Sequence, residues 1–557
     1  MKKITGRTVA FLLVLLLALL PLVACGKNTG EGKELRFPLW ATPSNLDPAI
    51  ANGREENLIL ANCFEGLVRL HANGESDAED GADPIAPGVA QRWEISADGL
   101  RYTFHLRQDT HWRLPAEAKA LLGEAAYAAF DTTVTAADFL FAFRRVLDPE
   151  TNAPNAALLF PIANARAIWE GKKSAEALGV AVTDPFTLEI TLAQPNAAFL
   201  YSLCQNPAMP CNEAYFNATK GRYGLAPRYL LCNGAFYLSA WDATTLRLKR
   251  NDGYLGAEPV SPSAVVLKLE TNAAERLRLL GAEGGFSAVL LPANQPGALE
   301  TGTHSIPLKS ATQALLFRCT GARALAVAKL RRALCAAIDP AALGLSAAPP
   351  GLLPDSLRLG DGTYRALAGA ATGIAHDNAA AQTLWAQGLA EWEAAGGATP
   401  VTLTLLCPEE ANRQMRLLLM QWQVAFPLSL VVTVESPEPE KLAQRLAQGE
   451  YDIALSTLQA GSSFALATLE QLAESGADNL TGYRSAALEK LLAEAAQTAG
   501  QKEAAAALRK AEEHLLQVGA YYPLAAQESL LLLANGVSGL TVSAAGDVVY
   551  FGQGLAK

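Results

Sequence analysis

The order of apolar periodicities between Val401 and Leu455 constrains the fold of this chain more than any other feature. Val401 to Leu406 is a short run of the kind that forms a buried strand. Asn412 to Val424 then switches to helical spacing, with Leu418 and Trp422 four residues apart on one face. Leu428 to Val434 reads as a second strand, closed by Pro437 and Pro439. Lys441 to Ala447 is a short helix, and Tyr451 to Leu455 is a strand again. Strands that alternate with helices need crossovers on the faces of the sheet, so a parallel or mixed α/β sheet is predicted.

Elsewhere both periods recur. Arg101 to Leu106 alternates, with Tyr102, Phe104 and Leu106 on one face, and Thr187 to Leu192 does the same. Leu246 and Leu248 mark a further strand. Thr135 to Val146 reads as a helix: Thr135 can cap it, Asp138 stands three residues on, and Phe139, Phe143 and Val146 share a face. Ser485 to Ala496 and Glu503 to Leu516 are amphipathic helices separated by Gly500. Ala116 to Phe130 is Ala-rich and predicted helical, and Glu75 to Pro84 is an acidic loop. No fixed-period repeat runs through the chain. At 557 residues, half of them apolar, the chain is long enough for two to four domains.

The N-terminus is an address rather than part of the fold. Lys2, Lys3 and Arg7 precede an apolar run from Val9 to Leu22, which ends at Leu22-Val23-Ala24-Cys25-Gly26. A basic head, a short apolar core and a small-residue cleavage site make a secretory signal over residues 1–24. The run is too short for a membrane span, which needs about 20 apolar residues. Leu-Val-Ala-Cys also looks like a bacterial lipobox, which makes Cys25 the candidate lipidation site. Each buried CH₂ of an acyl chain contributes about 0.8 kcal/mol, so several chains on one Cys hold a protein stably on a membrane. Residues 25–34 are Gly-rich and polar, a flexible tether.

Charge and motifs exclude much. Loss of Lys2, Lys3 and Arg7 with the leader takes the formal charge from −10 to −13. An acidic chain without Lys/Arg clusters is unsuited to nucleic acid. Seven Cys follow Cys25, an odd number, so at least one stays unpaired within the chain. Cys204 and Cys211 flank a turn and are a candidate pair; buried apolar roles suit the others equally. No C-x-x-C, H-E-x-x-H, G-x-S-x-G or P-loop occurs, so no metal, cofactor or catalytic residue is predicted. The six His are scattered, His105 on the polar face of its strand and His514 on a helix.

The ordered segments resemble the family 5 extracellular solute-binding proteins, which include the oligopeptide- and dipeptide-binding proteins of ABC importers. The resemblance runs from about Leu35 to the C-terminus. It is carried by Asn45-Leu46-Asp47-Pro48, Cys63-Phe64-Glu65-Gly66-Leu67, Ala86-Pro87-Gly88-Val89-Ala90 and Tyr102-Thr103-Phe104-His105-Leu106. Val134-Thr135-Ala136-Ala137-Asp138-Phe139, Asn233-Gly234-Ala235-Phe236, Ala337-Ile338-Asp339 and Tyr451-Asp452-Ile453 follow in order. The resemblance implies a two-lobed periplasmic-binding-protein-like α/β fold (type II, cluster C) with a hinge and an extra subdomain on lobe I. Lobe I would take residues 35–63, 179–307 and 528–557, the extra subdomain 64–178, and lobe II 308–527. Hinge crossovers would lie near Leu178 to Asp184, Pro307 and Gln527. Ligand would be a peptide or similar small solute enclosed between the lobes, held as an added strand, and delivered by a monomeric receptor to membrane permease subunits.

Carried over residue by residue, the resemblance points to Asn52, Gly53 and Arg54 as ligand contacts, with Arg54 a partner for a carboxylate. It also points to Asn233 and Gly234, although Asn-Gly is a turn signal in its own right. In lobe II it points to Thr457 and Gly461. Here the sequence departs from the family pattern. The family's Trp and amine-binding Asp after the Tyr-Asp-Ile strand are Leu458 and Gly461, and an upstream Trp is Pro439. Glu435 and Glu438 are the candidate substitutes for the missing carboxylate. Two other readings stay open: a secreted hydrolase, and a signalling or structural lipoprotein that kept the fold without transport.

Overall fold

The computed structural model describes residues 34–70, 85–196, 199–254, 260, 262–293, 295, 297, 304–344, 349–359, 362–459, 464–473, 476, 479–498, 500–538, 540–543 and 549–551. Among these no helix is long and apolar enough to cross a membrane. Cys25, Gly461 and the acidic segment 75–84 lie outside the described residues.

The first strand, β1 (Glu34–Leu39), leads to helix α1 (Arg54–Cys63). A separate four-stranded antiparallel sheet follows, built from β2 (Ala90–Ile95), β3 (Arg101–Leu106), β4 (Val180–Asp184) and β5 (Thr187–Thr191) in the order β2-β3-β5-β4. Its last two strands lie beyond residue 178, and Leu178 to Asp184 leads into this sheet rather than across to lobe II. Tyr102, Phe104 and Leu106 are buried, as their alternation requires. Helix α2 (Ala136–Leu147) packs beside β4 and carries the expected capping box between Thr135 and Asp138. Burial pushes the Asp138 carboxyl up to about 6, against the hydrogen bonds from Thr135 that favour its charged form. Residues 116–130 hold two short helices, Ala118–Leu122 and Glu124–Ala128, broken at Gly123, whose φ of 82° suits glycine. Arg145 on α2 ties this subdomain to lobe I through Asp47 at 2.6 Å, with both side chains nearly buried. Cys204 and Cys211 are not joined in this structure, nor is any other pair of the described cysteines: the Cys204 thiol donates to Leu200 O and Arg145 donates to Cys211 Sγ.

Lobe I resumes with β6 (Phe236–Trp241), β7 (Thr245–Arg250) and β8 (Ala264–Leu269). They form one sheet with β1, which is parallel to β8. Strands β9 (Ala288–Pro292) and β10 (His304–Phe317) follow. Lobe II then adds β11 (Val401–Leu406), helix α3 (Asn412–Ala425), β12 (Leu430–Glu435), helix α4 (Pro439–Gln448) and β13 (Ile453–Gln459). Pro439 opens α4 at its first turn, where a missing N–H costs nothing. Helices Ala486–Gln497 and Gln501–Gln517 precede the last long strand, β14 (Tyr521–Leu533).

Strands β9 to β14 make one mixed six-stranded sheet, ordered β9-β14-β10-β13-β11-β12. Two of its interior strands, the neighbours β10 and β14, run through both lobes. At the lobe I end His304–Leu308 pairs with Leu533–Ser529; at the lobe II end Ala311–Leu316 pairs with Gln527–Tyr521. The register breaks between Leu308 and Ala311, beside the crossovers expected near Pro307 and Gln527. Side chains alternate across a strand, so these strands serve four cores. Leu315 and Phe317 face one core of lobe II, and Ala314 and Leu316 the other. On β14, Leu531 and Leu533 join the lobe I core, while Leu530 and Leu532 face a small cluster with Phe286 and Val289. Each fully buried Leu or Phe contributes roughly 1.5–3 kcal/mol relative to exposure, so both strands are anchored in both lobes.

Candidate ligand-binding cleft

The candidate contacts of lobe I stand at the first turn of α1. The Glu55 carboxylate accepts from Trp40 N at 2.6 Å, and Glu56 accepts from Ser44 N at 2.7 Å. These bonds fold residues 40–44 back onto the helix start. Gly53 is the N-cap, in an extended conformation with φ −81° and ψ 159°, and Asn52 before it is exposed. Behind them Arg276 is fully buried, its guanidinium 3.2 Å from the Trp40 ring centroid and its Nε donating to Glu270 O at 2.6 Å. Burial pushes its pKa down; the Glu55 carboxylate opposes that and Arg54 adds to it. Arg276 and Trp40 gave no signal in the sequence, where one reads as a helix-surface charge and the other as a stray aromatic.

The candidate contact Thr457 of lobe II stands on β13. One edge pairs along its whole length with Ala311–Phe317 of β10. The other pairs with β11 only at Ile453 and Ala454. Among the described residues Leu455 to Gln459 therefore has a bare edge, and Gln459 pairs with Ala311, the residue at which β10 enters lobe II. Thr457 is exposed on this stretch and Leu458 is half-buried. Glu435 at the end of β12 is ion-paired with Arg445, and Glu438 is exposed at the start of α4. Lobe II touches the subdomain where Phe464 meets Tyr201, ring centroids 4.1 Å apart, and Phe464 joins the core cluster that lobe I and the subdomain share.

Asn233 and Gly234 sit elsewhere, inside lobe I. Asn233 Oδ1 accepts from Glu65 N at 3.0 Å and its Nδ2 donates to Glu65 O at 2.9 Å. Gly234 N donates to Cys63 O at 2.9 Å. Both polar ends of the Asn233 side chain are thus used within the lobe. Among the described residues no cluster of His, Cys, Asp and Glu could hold a metal ion.

Residues 84–479 match the model of the bacterial extracellular solute-binding proteins, family 5. The chain belongs to that family. Over 465 residues this family 5 protein is 25% identical to the dipeptide-binding protein of Lactococcus lactis, covering 78% of each chain. It is 34% identical to the periplasmic murein peptide-binding protein MppA of Escherichia coli over 218 residues, which span 39% of this chain and 35% of that one. Among solved structures, Listeria monocytogenes OppA bound to peptide superposes with a TM-score of 0.73 at 22% identity, covering 95% of this chain and all of that one. The unliganded open form of MppA gives 0.63 at 23% identity, with 94% of this chain and 97% of that one covered. The two-lobed α/β architecture with an extra subdomain is thereby shared with solved members of family 5.

Proposed function

We propose that this family 5 protein is the extracytoplasmic receptor of an ABC importer, that it captures a peptide or peptide-like solute between its lobes as a monomer, and that it is held to the membrane through lipid on Cys25. The observation that carries the ligand class is the bare edge of Leu455 to Gln459 at the line where β10 enters lobe II. An extended peptide satisfies such an edge with its own main chain, which gives affinity for any sequence and leaves specificity to side-chain pockets. Asn52, Gly53 and Arg54 would supply the lobe I side, and Thr457 and Gly461 the lobe II side. The relatives' names, dipeptide-binding and murein peptide-binding, support this class. The register break in β10 and β14 gives the lobes a place to bend. Calorimetry against a peptide library, followed by solution scattering, tests the reading. A binding peptide should shrink the radius of gyration; saturation with a verified peptide and no change in scattering would count against closure. For the anchor, Cys25→Ala should release the protein or leave it unprocessed, and mature native protein that partitions into the aqueous phase of a detergent extraction would refute the lipid.

A further inference from the structure

Residues 63–65 and 232–234 run side by side at the neck where the chain leaves lobe I for the subdomain and returns. Three hydrogen bonds clamp them: Gly234 N to Cys63 O at 2.9 Å, Glu65 N to Asn233 Oδ1 at 3.0 Å, and Asn233 Nδ2 to Glu65 O at 2.9 Å. A Cβ on Gly234 would stand 2.5 Å from Cys63 C, so the strands lie as close as main chains can. The clamp brings the Cys63 and Cys232 thiols into hydrogen-bonding contact, with both residues buried at 0% and 1% exposure. Four of the other described cysteines have other neighbours. Cys204 donates to Leu200 O, Cys211 accepts from Arg145, Cys319 donates to Phe317 O, and Cys407 meets Ser436 Oγ. We propose that Cys63 and Cys232 form a disulfide in the exported protein, stapling the neck of the subdomain.

The family is extracellular, and disulfides persist in such compartments. The chemistry is thiol–disulfide exchange with a small-molecule or protein disulfide as oxidant. The thiolate of one cysteine attacks that disulfide, forms a mixed disulfide and expels one thiolate. The second cysteine attacks the mixed disulfide and expels the other. Two cysteine thiols are oxidised and one disulfide is reduced to two thiols, the expelled thiolates taking up the two protons that the cysteines release. The hydrogen bond with Cys232 and burial push the Cys63 thiol well above its ordinary range, and a protonated thiol does not attack. The bond is therefore made while the neck is still open during folding, and the folded, reduced protein resists reoxidation.

The test is a peptide map of the mature protein, collected outside the cytoplasm and alkylated under denaturing, non-reducing conditions. The expected result is a Cys63–Cys232 cross-linked peptide, with the other five cysteines after Cys25 alkylated. Alkylation of all seven, or a link between a different pair, overturns the proposal. A second measurement needs no variant. Refolding reduced protein with oxidised glutathione should restore the link and raise the melting temperature by roughly 5 °C over a refolding without oxidant. A link that forms as fast in the folded, reduced protein refutes the folding-stage mechanism. The double variant Cys63→Ala, Cys232→Ala should lose the response to oxidant; a response that persists places the bond elsewhere.

Discussion

Two of the chain's four Asn-Gly pairs are candidate ligand contacts, and the structure uses them in different ways. Asn52-Gly53 opens helix α1, with Asn52 exposed and Gly53 half-buried. Asn233-Gly234 is buried in the neck, where Asn233 replaces a missing strand partner with its own side chain. Neither glycine takes the positive φ that Asn-Gly turns demand. The dipeptide signals small, adaptable backbone in both places; the neighbours decide what it is for. At Gly53 a Cβ would meet the Glu56 carboxylate, the end of a side chain, whereas at Gly234 it would meet main chain.

The largest test of that contrast is at the asparagines. Asn233→Ala leaves Glu65 N–H and C=O buried without partners, at about 1–3 kcal/mol each, so the loss of stability should be about 2 kcal/mol or more. Asn52→Ala should stay within about 0.5 kcal/mol, as exposed substitutions do. Equal losses in denaturant unfolding would erase the distinction. Next come the glycines. Gly234→Ala should cost about 1–3 kcal/mol because backbone must move. Gly53→Ala should cost about 1 kcal/mol, the bond between Glu56 and Ser44 that its methyl would displace. The reverse order of midpoints would show that the neck can relax.

Arg54→Ala sharpens the functional side of the comparison. Unfolding should change little, while a peptide that binds the native protein should bind about tenfold more weakly, the scale of one charged hydrogen bond. Unchanged affinity in calorimetry would remove Arg54 from the ligand's contacts. The smallest effect is expected at the peptide amine. Gly461 has no carboxylate to offer, so free and N-acetylated forms of one peptide should bind within about fivefold of each other. A relative that pairs the ammonium with an acid would lose roughly 10- to 150-fold on acetylation. A preference for the free amine above about 50-fold would sink the idea and direct attention to Glu435 and Glu438. Glu435 is already occupied by Arg445.

Much of the fold was legible locally. The helix at 136–147 and its capping box, the strand at 401–406 and the helix starting at Asn412 follow from spacing and caps. The third strand of that region was placed at Tyr451 to Leu455 but runs from Ile453 to Gln459. The shift matters, because Ser456 to Gln459, polar except for Leu458 and half-buried or exposed throughout, forms most of the bare edge. A sequence rule that looks for buried alternation stops where burial stops. Of the candidate ligand contacts, Asn52 to Arg54 lie at the start of α1 and Thr457 on β13, while Arg276, Trp40, Tyr201 and Phe464 carried no local signal.

The sequence by itself determined the α/β alternation and the faces that seek burial, because periodicity and capping act over a few residues. Only the tertiary structure decided which strand edge stays bare, which Asn-Gly clamps the neck, and which of seven cysteines meet as a pair. Each depends on groups far apart in the chain, such as Cys63 beside Cys232 or Gln459 beside Ala311. Such contacts arise when buried faces pack against one another, and the local pattern that makes a face apolar does not name its partner.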